Sequence, residues 1–223
     1  MTRHALTRRY TGLAPEERTR QRRGALLTAA LELFGTAGYQ PTAVKKLCLR
    51  AGLTERYFYE SFTDREDCLA ALYTALVDRL RTATADATAL AAAANPTDLD
   101  AIAYAGLHGF VDYLTKDPRR ARVVLIEVVG VSLAMEQRRH GVLQEFTDMV
   151  VAAWSAVAAA RSPGVEVTTD RLTAVALVGG VNHLLVHWLM DGRRHDPAEL
   201  TRTCVSLFIA AFDRARENRT HAR

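Results

Sequence analysis

Residues 30–73 read ALELFGTAGYQPTAVKKLCLRAGLTERYFYESFTDREDCLAALY, and the spacing of their apolar positions decides the fold. Leu27, Ala30, Leu31 and Phe34 fall at i, i+3, i+4 and i+7, one face of a helix. Gly35 and Gly38 are expected to end it. Pro41-Thr42 opens a second helix with Thr42 as N-cap, and Val44, Leu47, Cys48 and Ala51 repeat the spacing. Gly52 stops that helix after about two turns. Thr54 starts a third short helix that runs through Phe58 toward Phe62. Asp64 caps a long fourth helix, with Asp67 three residues on and a stripe of Leu69, Leu72, Tyr73, Leu76 and Leu80.

Outward from this stretch the periodicity stays helical. Residues 1–18 lack a sustained apolar period, carry Arg3, Arg8 and Arg9, and are expected to form a flexible basic arm. Helix is expected from Thr19. The Ala-rich run from Ala83 to Ala94 extends the fourth helix or frays into a linker before Asn95-Pro96. Further helices are expected over 98–116, 119–129, 132–160, 170–191 and 197–218. The 119–129 segment is apolar on every side and so should be buried. The sole weak strand signal, Val165–Thr168, is too short to seed a sheet. The expected fold is all-α, in three parts: an arm at 1–18, a helix-turn-helix domain at 19–66 and a helical domain at 67–223.

Charge is uneven along the chain. Residues 1–65 hold twelve Arg or Lys against six Asp or Glu, a net +6, and the remainder carries −2. A basic third on a near-neutral body points to a local anionic partner, with nucleic acid first. Cys48, Cys68 and Cys204 form no CxxC and read as small core residues of a reducing compartment. No uninterrupted apolar run reaches the roughly 18 residues of a membrane span, and no signal peptide is evident. The expectation is a cytoplasmic protein without a membrane partner.

Two short helices joined by a Gly-containing turn are the sequence form of a helix-turn-helix. The segment Arg22–Leu76 resembles the DNA-binding domain of the TetR family. The resemblance rests on Ala30-Leu31-Glu32-Leu33-Phe34, Gly38-Tyr39, Thr42, Val44, Leu47, Ala51-Gly52-Leu53-Thr54, Phe58-Tyr59, Phe62 and Arg65-Glu66. The rest of the chain resembles the family only in length, helicity and layout. Arg56 and Tyr57 stand where the family often has Gly and a small residue, so operator sequences do not transfer from relatives.

The third helix is expected to turn Leu53, Phe58 and Phe62 inward. Thr54, Glu55, Arg56, Tyr57 and Tyr59 are left to face outward. Arg56 suits guanine O6 and N7, Glu55 suits cytosine N4 or orients Arg56, and Tyr57 suits a thymine methyl. Thr42 and Thr54 are expected to offer hydroxyls and helix N-termini to phosphate. By resemblance, Lys45 reaches a base edge or phosphate, Tyr59 anchors a phosphate, and Arg65 grips one from the start of the fourth helix. Lys46 joins the candidates on charge.

A single short recognition helix makes too few contacts for a specific site, so a two-fold dimer on double-stranded operator DNA is expected. The 170–191 and 197–218 helices are the candidate interface. One face of the first carries Leu172, Val175, Gly179 and Val186, and the other Leu177, Val181, Leu184 and Trp188. Cys204, Leu207, Phe208 and Ala211 belong to the second. By resemblance, the C-terminal domain binds a small-molecule inducer that shifts the spacing of the DNA heads. Tyr104, His108, Trp154, Asn182 and His183 are the candidate pocket residues. His183 and His187 share a helix face, but no third ligand or HExxH accompanies them, so no metal and no cofactor is expected.

The expected function is a ligand-responsive transcriptional regulator, a repressor released from a palindromic operator by an inducer. An all-helical enzyme is the alternative from another class. However, no phosphate loop, GxSxG, zinc motif or dinucleotide fingerprint occurs. An architectural DNA binder with no ligand would have a closed C-terminal domain.

Overall fold

The computed structural model describes residues 14–163 and 171–220, the last six without their side chains. Helix α1 spans Pro15–Thr36, α2 Val44–Ala51, α3 Glu55–Tyr59, α4 Arg65–Ala94, α5 Leu99–Thr115 and α6 Pro118–Arg122. A π-helical segment, Val123–Glu127, follows directly on α6. Then come α7 Leu133–Arg161, α8 Arg171–Met190 and α9 Pro197–Thr220. Among the described residues there is no strand; Val165–Thr168 and most of the N-terminal arm lie outside them.

Helix α1 begins at Pro15 rather than Thr19. Proline fits the first turn because its missing N–H would be unpaired there, and Glu16 and Glu17 complement the helix dipole. The helix ends at Thr36, and Gly38 takes the left-handed conformation at φ 101°. Gly35 lies inside the helix and does not stop it. A Cβ there would sit 2.4 Å from Cβ of Arg119, so the glycine lets α6 lie directly on α1. Ala43, not Thr42, is the N-cap of α2. Gly52 closes α2 in the left-handed region, φ 67°, as its position in the sequence implies. Asp64 caps α4 through the Asp67 N–H at 2.8 Å, and the Asp67 carboxylate accepts from the Thr63 N–H at 3.0 Å.

The Ala-rich run continues α4 to its end at Ala94. Small residues there let α5 approach closely: a Cβ on Gly109 would lie 2.9 Å from the Ala83 carbonyl oxygen. Helix α7 runs alongside α4 in a parallel register. Arg138 bonds Thr74, and Arg81 pairs with Glu145, each across 64 residues. One apolar cluster joins Leu26, Phe34, Leu47, Phe58 and Phe62 through Leu69, Leu72 and Leu76 to Val123, Leu125 and Trp188. The core therefore runs unbroken past residue 66. A second cluster packs Leu99, Ile102, Trp154, Val157, Phe208 and Phe212.

The 119–129 segment departs from a single buried helix. It divides into α6 and the π turn, with Val123, Val124, Leu125 and Val128 buried, Glu127 part-buried and Val129 exposed. The wider π turn re-aims successive side chains. Helix α8 also departs from expectation. It is long and apolar enough, by length and composition alone, to cross a bilayer, with a mean hydropathy of 1.5. Its exposed positions, Leu172, Val175, Ala176, Gly179, Gly180, His183, His187 and Met190, form one stripe at helical spacing.

Candidate nucleic-acid interface and effector cavity

Helix α3 stands on Phe58 and Phe62, whose rings meet at 5.6 Å in the core. That leaves Thr54, Glu55, Arg56 and Tyr59 exposed on the opposite side. Arg56 is the most outward of the arginines on this surface, its side chain 83% exposed. Its Nε donates to Glu60 at 3.0 Å, so Glu60 rather than Glu55 orients it. Lys45 and Lys46 are exposed on α2, and Lys46 Nζ donates to the Pro41 carbonyl at 3.2 Å.

Three of the proposed contacts differ. Thr42 is fully buried and its hydroxyl donates to the Gly38 carbonyl at 2.7 Å, so it is not presented to phosphate. The reason is local: helix α2 starts one residue later, and the threonine ties down the turn instead. Tyr57 is half-buried, with the Arg22 guanidinium 4.4 Å above its ring. Arg65 is part-buried, and its NH1 donates to the Gln40 and Thr42 carbonyls at 3.1 and 3.0 Å. The same guanidinium lies 4.1 Å over the Tyr39 ring. Arg65 thus staples the start of α4 to the α1–α2 turn. Thr54 forms the N-cap of α3 by backbone alone, leaving its hydroxyl available.

Arg22 and Arg23 were not singled out by the sequence. Arg23 donates to the Ser61 carbonyl at 2.7 Å, and Arg22 pairs with Glu60 at 3.6 Å. They brace α1 against the end of α3. Glu32 and Arg50 form a further ion pair between α1 and α2, which holds the Glu32 carboxyl below its usual range.

A cavity of about 130 Å³ lies in the C-terminal body between α4, α5, α7, α8 and the π segment. Most of its lining is apolar: Leu80, Ile102, Phe110, Leu125, Phe146, Val178 and Phe208 among others. Tyr73, Thr84, Thr88, Arg139 and Asn182 are its polar members. Thr84 and Thr88 donate their hydroxyls back to the Leu80 and Thr84 carbonyls, both at 2.8 Å.

Of the five expected pocket residues only Asn182 lines this cavity. Tyr104 and His108 are exposed on the outer face of α5, stacked at 5.6 Å. Trp154 is buried beside the cavity, against Phe208 at 5.1 Å, and its Nε1 has no hydrogen-bond partner among the described residues. His183 is on the exposed stripe of α8. Amphipathic residue type does not single out the lining of this cavity. Two members of the α4 stripe of Leu69, Leu72, Tyr73, Leu76 and Leu80, namely Tyr73 and Leu80, line this cavity. No group of three or more His, Cys, Asp or Glu suited to a metal occurs among the described residues. Cys204 and Phe208 face the protomer's own core, whereas Leu207 is exposed.

The cavity and the N-terminal helices meet at the π segment. Val124 and Leu125 line the cavity. Two residues on, Glu127 Oε2 accepts from the Tyr39 N–H at 2.7 Å, and Oε1 accepts from Arg122 Nε at 2.8 Å. Arg122 NH1 in turn donates to the Thr36 carbonyl at 2.7 Å. The α1 side of the α1–α2 turn is therefore held by α6 and the π segment together.

Residues 26–72 match the family described as "Bacterial regulatory proteins, tetR family". None of the curated proteins matches the chain. Among solved structures, it is similar to a transcriptional regulator from Pseudomonas aeruginosa PAO1, with TM-score 0.72 and 18% identity over 95% of this chain and 98% of that one. It is also similar to the fatty acid degradation regulator FadR from Bacillus halodurans, with TM-score 0.67 and 18% identity over 89% and 96%. FadR from Bacillus subtilis, solved in complex with stearoyl-CoA, has TM-score 0.67 and 17% identity over 84% and 98%. At these identities the likeness is one of fold. Residues 26–72 carry the helix-turn-helix domain of the TetR family, and along its described length the chain has the all-helical fold of these solved regulators.

Proposed function

We propose that this chain is a ligand-responsive DNA-binding transcriptional regulator, a repressor that leaves a palindromic operator when a small molecule fills its C-terminal cavity. Residues 19–66 serve as the DNA head and residues 67–223 as the effector-binding and dimerising body, acting in the cytoplasm. The reading includes no catalytic step.

One observation carries it: the π segment touches both the cavity and the head. An occupant that displaces Val124 or Leu125 strains the same five residues whose Glu127 holds the Tyr39 amide. Such a ligand favours one head position over another, which is the differential affinity that any induced release requires. Inducer and operator then weaken each other's binding by one common factor. The proposed base-reading group is Arg56, with Lys45, Lys46, Thr54, Glu55 and Tyr59 around it. The stripe on α8, with Leu207 on α9, is the proposed two-fold contact between copies.

The test is selection of bound duplexes from a random pool with the full-length protein. Enriched sequences should contain an inverted repeat with half-sites spaced by about one helical turn or a multiple of it. Enrichment of a single unrepeated site, or of none, would remove the proposed dimeric operator reading.

A further inference from the structure

Arg139 is the one charged side chain on the cavity lining, and Thr84 and Thr88 spend their hydroxyl protons on backbone carbonyls. Helices α4 and α7 run parallel with matched positions 64 residues apart, so Tyr73 and Arg139 stand at the same level. That level is the end nearest the N-terminal helices. Leu99, Ala153 and Phe208 line the other end. Tyr73 is buried to 1% exposure, and its hydroxyl has no hydrogen-bond partner among the described residues. Arg139 Nε donates to Glu136 at 3.2 Å, while its two terminal amino groups have no partner among the described residues. A buried hydroxyl such as that of Tyr73 is normally paired, and leaving it unpaired costs free energy; the Arg139 side chain is 30% exposed. Two donors left open at one end of an apolar cavity mark a place for an acceptor that arrives with a ligand. Burial pushes the Tyr73 phenol up to about 12, and Arg139 is the charge that acts on it most strongly. The phenol is therefore a neutral donor at physiological pH. An arginine fork with two free amino groups matches the two oxygens of a carboxylate.

We propose that the effector is an apolar carboxylic acid, with its hydrocarbon body in the cavity and its carboxylate on the Arg139 guanidinium and the Tyr73 hydroxyl. This rests on the ligand-responsive reading and specifies its ligand. The head group would then lie beside the π segment, where Val124 and Leu125 line the same cavity.

Calorimetric titration of the full-length protein at neutral pH with octanoate, 1-octanol and octylamine decides the class. Octanoate should bind about tenfold tighter than octanol, the worth of one charge-assisted hydrogen bond, and octylamine should bind weakest. Arg139→Gln should bring octanoate to the level of octanol, and Arg139→Lys should restore part of the preference. Octanol binding to Arg139→Gln doubles as the check that the cavity is intact. If that variant does not fold, Tyr73→Phe and the three wild-type titrations decide alone: Tyr73→Phe should narrow the octanoate advantage over octanol. An unchanged acid preference in Arg139→Gln, octanol or octylamine binding as tightly as octanoate, or no binding of any probe would overturn the proposal. Operator affinity measured in the same samples separates the two readings. Octanoate that binds through Arg139 but leaves the operator complex intact would sustain the ligand class and sink the regulatory reading.

Discussion

Arg56 and Arg65 illustrate how two arginines in one small domain come to different tasks. Both could have been given to DNA on residue type. Arg65 spends NH1 on two backbone carbonyls and its face on Tyr39, so its first task is to hold the head together. Arg56 is tethered through Nε, which fixes the side chain while leaving the terminal fork for a guanine edge. An exposed ion pair of this kind is worth little for stability, so Arg56→Ala should melt like the wild type. On the selected operator it should cost about 1–3 kcal/mol and relax one base preference in each half-site. The check is a binding titration against operators substituted one position at a time. Equal weakening on every sequence would make Arg56 a phosphate contact.

At the level of elements, the π segment concentrates the link between cavity and head. Its Glu127 is mostly buried and bonds both Tyr39 and Arg122. Glu127→Ala removes two charge-assisted bonds and leaves the Arg122 guanidinium without this partner. The expected loss is about 1–3 kcal/mol of stability, scaled down because Arg122 is 38% exposed. Hydrogen exchange gives a sharper readout: protection of the Tyr39 amide should fall in Glu127→Ala more than in Glu127→Gln, which retains an acceptor oxygen. If Tyr39 protection is the same in both variants and the wild type, the segment does not hold the turn.

For the whole molecule, the unresolved balance is on α8. Its inward face supplies Leu177, Val178, Val181 and Asn182 to the cavity, while Leu172 is 79% and Met190 73% exposed on the other side. So much apolar surface along one helix supports the proposed contact between copies. A Gly179→Arg substitution places a charge in the middle of that stripe, and nothing lies within 4 Å of its Cβ position to oppose the first carbon of the new side chain. Helicity should survive, dimerisation should fail, and operator binding should be lost with it. Sedimentation of a wild-type monomer at micromolar concentration would refute the interface, and partition of the wild-type protein into lipid vesicles would assign the stripe to a membrane instead.

The sequence by itself determined the order and kind of the helices, because apolar spacing and capping residues act within a few positions of one another. Gly52 and Asp64 delimit their helices as local chemistry requires. It also carried the family of the head, since α1 to α3 must bury Phe34, Leu47, Phe58 and Phe62 in fixed register. Which residues line the cavity was decided by tertiary structure. Tyr104 and His108 obey the same helical period as Ile102 and Phe110, and only the neighbours of α5 determine which side becomes a cavity wall. Likewise the grip of Arg65 and the π turn depend on partners 23 and 88 residues away. Local propensity specifies what a segment becomes. Which of its faces meets a ligand, a second copy or DNA is fixed by long-range packing.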